Sequence, residues 1–108
     1  MASLSLNKGL IRMLNFFEGD TAEKKVINLV NGNALLKLKE CEDEIVRYES
    51  KYGMTFADFK KAWDKGTKKE KYAHEVERDF MEWEGFEGEK KHWLSALKEI
   101  RVKFYSKR

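Results

Sequence analysis

Two histidines, one cysteine and nineteen carboxylates are the groups in this 108-residue chain that could carry chemistry. "HEVER", His74 to Arg78, begins like the zinc motif H-E-x-x-H, but Arg78 stands where the second histidine is needed. A guanidinium cannot ligate a metal, so zinc is not expected there. "EKKH", Glu89 to His92, matches half of a di-iron site. That site needs a second such pair, and Lys71 occupies the position that would complete it at His74. Neither histidine belongs to a Ser-His-Asp grouping, and "NGN" and "GFEG" follow no strand that would make them a phosphate loop. Carboxylates scattered over charged faces could supply an acid and a base but specify no site. Cys41 stands alone and is expected to be a buried small apolar residue, with a reactive thiol as the lesser reading. We therefore expect no catalytic residues, no cofactor and no metal; the chain does not read as an enzyme.

The composition is 42% apolar and 38% charged, with no proline and a net charge of +3. The apolar share is enough for a core, and the length suits a single domain, residues 1–108. The mild charge does not by itself argue for nucleic acid. No signal peptide is read at the start, and no run approaches the roughly 18 apolar residues of a membrane span. A cytoplasmic protein with no membrane role is expected.

The elements follow from periodicity. Leu6, Leu10, Met13, Leu14 and Phe17 share a helical face, which predicts a short amphipathic helix over 4–18, ended by Gly19. Asp20 and Glu23 can form a capping box for the next helix. Its stripe is Ile27, Val30, Ala34, Leu38, Cys41, Ile45, Tyr48 and Tyr52, with steps of three and four. Asn31-Gly32 within it also fits a β-hairpin turn. An isolated ribbon needs a sheet or helix to cover it, and nothing else in the chain reads as a strand. A continuous helix over about 21–52 is expected, with a kink at Gly32 and a hairpin as alternatives. Gly53 is placed as its C-cap, and Thr55 as the N-cap of a short helix over 55–65 bearing Phe56, Phe59 and Trp63. A second long helix is expected over about 70–105. Its stripe runs Tyr72, Val76, Phe80, Trp83, Phe86, Trp93, Leu97, Ile100 and Phe104, with Gly85 and Gly88 as a bend or a possible split. The fold class is all-α: an elongated hairpin or bundle of two long helices with two short ones.

Charge on the last helix is asymmetric. Its first half carries Glu75, Glu77, Asp79, Glu82, Glu84, Glu87 and Glu89 against Arg78. Its second half carries Lys90, Lys91, Lys98, Arg101, Lys103, Lys107 and Arg108 against Glu99. The helix dipole favours this sense, but only over the end turns. "DFMEWEGFEGE" interleaves aromatics with acids, which suits a basic partner better than nucleic acid.

"YESKYGMTFADFKKAWDKG" (Tyr48–Gly66) followed by "YAHEVERDFMEWEG" (Tyr72–Gly85) resembles a group of small prokaryotic, often archaeal, helical proteins. These are the antitoxin partners of two-gene toxin–antitoxin cassettes whose toxin is of ribonuclease type. "EGDTAEKKV" (Glu18–Val26) is similar to the start of their long helix, and the likeness covers residues 18–100. What it implies is an antitoxin that binds a cognate toxin and blocks it. The residues suggest how. A toxin acting on RNA presents a basic surface. Phe80, Trp83 and Phe86 would anchor on it, while Glu75, Asp79, Glu82, Glu84 and Glu87 supply charge complementarity. A homodimer through the long stripes is also expected. Two alternatives stay open: a self-associating scaffold, and a small DNA- or RNA-binding regulator using Lys90 to Arg108, possible but less favoured.

Overall fold

The computed structural model describes residues 7–66 and 73–105. It is all-α: α1 (Lys8–Leu14), α2 (Ala22–Tyr52), α3 (Phe56–Asp64) and α4 (Ala73–Ile100). The last helix continues into a π-helical turn, Arg101–Tyr105. Among the described residues there is no strand.

The first three helices each start on a polar side chain accepting a backbone N–H. Asn7 Oδ1 accepts from Leu10 N at 2.8 Å, Thr21 Oγ1 from Lys24 N at 3.1 Å, and Thr55 Oγ1 from Asp58 N at 3.3 Å. Two boundaries differ from expectation. The first helix ends at Leu14, not at residue 18, because Asn15, Phe16 and Phe17 donate to carbonyls three residues back and tighten the chain into turns. The residues before Asn7 lie outside the described residues. The cap of α2 is Thr21 rather than Asp20. That leaves Glu23 at the second helical position, out of register for a capping box, and Asp20 forms an exposed ion pair with Lys24 at 3.4 Å. Gly19 has φ +139, and a Cβ there would lie 2.8 Å from the Lys25 nitrogen. Only glycine lets the incoming loop press so closely on the start of α2.

Gly32 does not break the chain: α2 runs unbroken for 31 residues, then stops at Gly53 with φ +67. The helix is therefore continuous, and the hairpin does not form. Gly85 and Gly88 also lie inside one uninterrupted helix. α2 and α4 are antiparallel. Tyr48 pairs with Glu82, Cys41 lies beside Glu89, and Tyr105 Oη donates to Asn28 Oδ1.

The core occupies one end of this hairpin. Ile45, Tyr48, Phe59 and Trp83 are buried, with Tyr52, Met54, Phe56, Trp63, Val76, Phe80 and Phe86 packed around them. α3 folds its Phe56, Phe59 and Trp63 across the two long helices. Phe59 lies 5.1 Å from Trp83 between ring centroids, and Trp63 stacks on Phe80 at 4.8 Å. Toward the other end the stripe thins. Ala34 is buried and Leu38, Trp93, Leu97 and Ile100 are half-buried, but Val30, expected on the core face, is exposed. The molecule measures 59 × 33 × 21 Å. No helix among the described residues is long and apolar enough to cross a membrane.

Candidate interaction surfaces

The acidic half of α4 divides by direction. Its inward side belongs to the core and to α2. Trp83 is fully buried, and Phe80 and Phe86 are half-buried against the same cluster. Trp83 and the two phenylalanines therefore fill this chain's own interior and do not stand out as anchors for a partner. The physical reason is α3: its three aromatics close over the α2–α4 seam at the level of Trp83. Three of the acids are also engaged internally. Asp79 is buried, and its Oδ2 accepts from Lys51 Nζ and from Tyr52 Oη, each at 2.6 Å. Glu75 accepts from Lys51 Nζ at 2.6 Å, and Glu82 from Tyr48 Oη at 2.5 Å. Burial alone would raise the Asp79 carboxyl, but the Lys51 and Tyr52 bonds outweigh it and hold the group below the usual carboxylate range. Burial and the Asp79 bond push the Tyr52 hydroxyl up, and the carboxylates of Asp79 and Glu75 push the Lys51 ammonium up.

The outward side keeps Glu77, Glu84 and Met81, all exposed, with Glu87 half-buried. Glu84 and Glu87 line an open groove with Ile45, Phe56, Lys60 and Gly88, between α2, α3 and α4. Of the eight residues expected to meet a partner, only Glu84 and Glu87, beside Glu77 in this strip, face a surface with neither a bond to α2 nor a place in the core.

Of the expected basic set, Lys91, Lys98, Arg101 and Lys103 are exposed and Lys90 is half-buried; Lys107 and Arg108 lie outside the described residues. Lys103 pairs with Glu99 at 2.7 Å. Taken over the whole hairpin, residues 7–36 and 90–105 carry nine Lys or Arg and four Asp or Glu. Residues 37–66 and 73–89 carry eight and fourteen. The charge asymmetry expected along α4 is thus a property of the molecule's long axis.

The surface that the sequence did not single out is the apolar tip. Phe16 is 79% exposed, Met13 57% and Val102 62%. Leu10, Ile11 and Phe17 are exposed in the same stretch as Met13 and Phe16, and Phe104 in that of Val102. The signal was present but misassigned: Leu10, Met13, Leu14 and Phe17 share a helical face that reads as core, yet only Leu14 finds cover. Lys51, which organises Asp79 and Glu75, was also missed. It sits on the charged side of α2, where a lysine carries no sign of a partner 24 residues away.

Among the described residues no three His, Cys, Asp or Glu side chains converge as a metal site. Cys41 is buried with its Sγ 3.7 Å from Glu89 Oε1, and burial, then the Glu89 charge, push its thiol up. That suppresses the thiolate that reactivity needs. Comparison with protein families, with curated proteins and with solved structures finds no match to this chain.

Proposed function

We propose that this chain is a non-catalytic protein-interaction module, and that it serves as an antitoxin that binds and neutralises a cognate toxin. The observation that carries the interaction reading is the tip. A chain with a complete aromatic core at one end leaves Leu10, Met13, Phe16 and Val102 in solvent at the other. Large apolar side chains left in solvent on a small domain mark a surface that something covers. The antitoxin reading rests on the likeness carried by Tyr48–Gly66 and Tyr72–Gly85. With Trp83 internal, the anchors in this reading become Met13 and Phe16.

The experiment is co-expression with the product of the adjacent gene, scored by growth and by co-purification. Neutralisation with a stable complex is expected, as is its loss when Met13→Asp and Phe16→Asp are combined in a protein of unchanged helicity. A neighbour that is neither bound nor neutralised removes the antitoxin reading. A complex indifferent to the tip substitutions removes the tip as the interface.

A second reading has its own support in the exposed Lys91, Lys98, Arg101 and Lys103 of the basic half. These could hold phosphates, as in a DNA- or RNA-binding regulator. Binding that weakens steeply with salt, by a slope reduced on Lys98→Ala and Arg101→Ala, is the expected signature.

A further inference from the structure

We infer that a second copy of this chain packs antiparallel along the outer face of α2, with Gly32 at the crossing. The inference is independent of the antitoxin reading. Its starting point is a helical glycine that nothing inside the chain requires: a Cβ built at Gly32 meets no atom within 4 Å. Glycine in a helix interior costs about 0.5–1 kcal/mol relative to alanine. Around it lie apolar side chains that do not face α4. At about 100° per residue, Leu29 and Leu36 are turned roughly 140° and 160° from the buried Ala34. Both are exposed, at 38% and 53%.

Those residues form a self-complementary pattern. In an antiparallel pair centred between residues 32 and 33, Leu29 of one copy meets Leu36 of the other, and the reverse contact follows from the two-fold axis. The same register sets Lys25 beside Glu40 and Asp43 of the second copy. Glu40 and Asp43 now make only exposed contacts, with Lys37 at 3.6 Å and with Lys39 at 3.1 Å, while the ammonium of the half-buried Lys25, which lies against the Gly19 loop, reaches Asn15 at the surface. Exchanging them for contacts between copies gives up little. The distance between packed helices is set by the side chains at the contact, so a glycine at the crossing brings the leucines together. The register also sets each copy's acidic stretch of α2 alongside the more basic end of the other. A parallel pair would instead oppose like with like.

Sedimentation equilibrium over a range of concentrations tests this. A dimer is expected for the wild type. Leu36→Glu is expected to weaken it by about tenfold or more, with helicity unchanged by circular dichroism. Gly32→Leu separates the crossing from helix stability. It should raise the melting temperature of the dilute monomer while weakening the dimer. Glu40→Lys with Asp43→Lys should also weaken the dimer, and adding Lys25→Glu should restore it. A wild type that stays monomeric at its highest soluble concentration overturns the inference. So does a dimer that tolerates Leu36→Glu, or one whose charge reversals are not rescued. A monomer that uses this face on anionic vesicles or on the adjacent gene's product overturns it as well.

Discussion

Lys51 Nζ lies 2.6 Å from both Asp79 Oδ2 and Glu75 Oε2, and Tyr52 Oη reaches the same Asp79 oxygen. A carboxylate this buried depends on both donors. Asp79→Asn should destabilise the fold by about 1–3 kcal/mol, the usual range for leaving charged hydrogen-bond partners short. The pH dependence has two arms. Asp79 is depressed below its unfolded value, so its contribution is present above about pH 4 and is lost as pH falls through the folded value. Lys51 and Tyr52 are raised, so theirs is present below about pH 10 and is lost as pH rises through their folded values. Urea midpoints from acid to alkali should therefore show a plateau with losses at both ends, and Asp79→Asn should shrink the acid-side loss. An unchanged acid limb would show that the Asp79 site does not drive it. Packing gives a second contrast. Trp83→Ala should cost about 3–5 kcal/mol, whereas Phe16→Ala should stay within about 0.5 kcal/mol, because only Trp83 has neighbours to lose. Equal losses in a urea titration would contradict the placement of both rings. In the sequence Trp83 sits on its helical stripe while Phe16 falls off the face of Leu10, Met13, Leu14 and Phe17. What the stripe does not tell is that Trp83 is closed over by α3 rather than left to meet a partner.

At the level of the elements, the glycines make opposed predictions. Gly32, Gly85 and Gly88 are helical and open, so each change to Ala should raise monomer stability by about 0.5–1 kcal/mol. Gly53 has φ +67, and Gly53→Ala should cost about 1–2 kcal/mol because the left-handed conformation crowds a Cβ. Thermal melts of the dilute protein would distinguish the groups, and a destabilising Gly32→Ala would show that α2 is strained there. The long helices were legible because the three- and four-residue spacing of Ile27, Val30, Ala34, Leu38 and Cys41 continues through the polar "NGN". Periodicity averages over many residues and absorbs one poor helix former. Caps do not average: Asp20 and Thr21 are adjacent and both can cap, and the choice depends on where the Gly19 loop presses on Lys25. The end of α1 was illegible for a related reason. Its apolar face predicts a helix wherever cover exists, and the cover stops at Leu14.

Stability in the whole molecule should follow its uneven core. At one end α3 closes the α2–α4 hairpin and Tyr48, Phe59 and Trp83 are almost solvent-free, while the other end relies on Ala34, Leu14 and half-buried residues. Local opening is cheapest where few apolar contacts hold the backbone. Native-state hydrogen exchange should therefore be slowest for residues 41–52 and 76–86. It should be faster for 22–30 and 94–100, although these are equally regular helix, and fastest in α1 and the turn after Ile100. This gradient also separates the two proposed contacts. A second copy along α2 should slow exchange at 25–40 as protein concentration rises. A partner at the tip should instead slow it in α1 and at 100–105. Uniform protection from end to end, unchanged by concentration and by partner, would contradict both the uneven core and the surfaces argued from it.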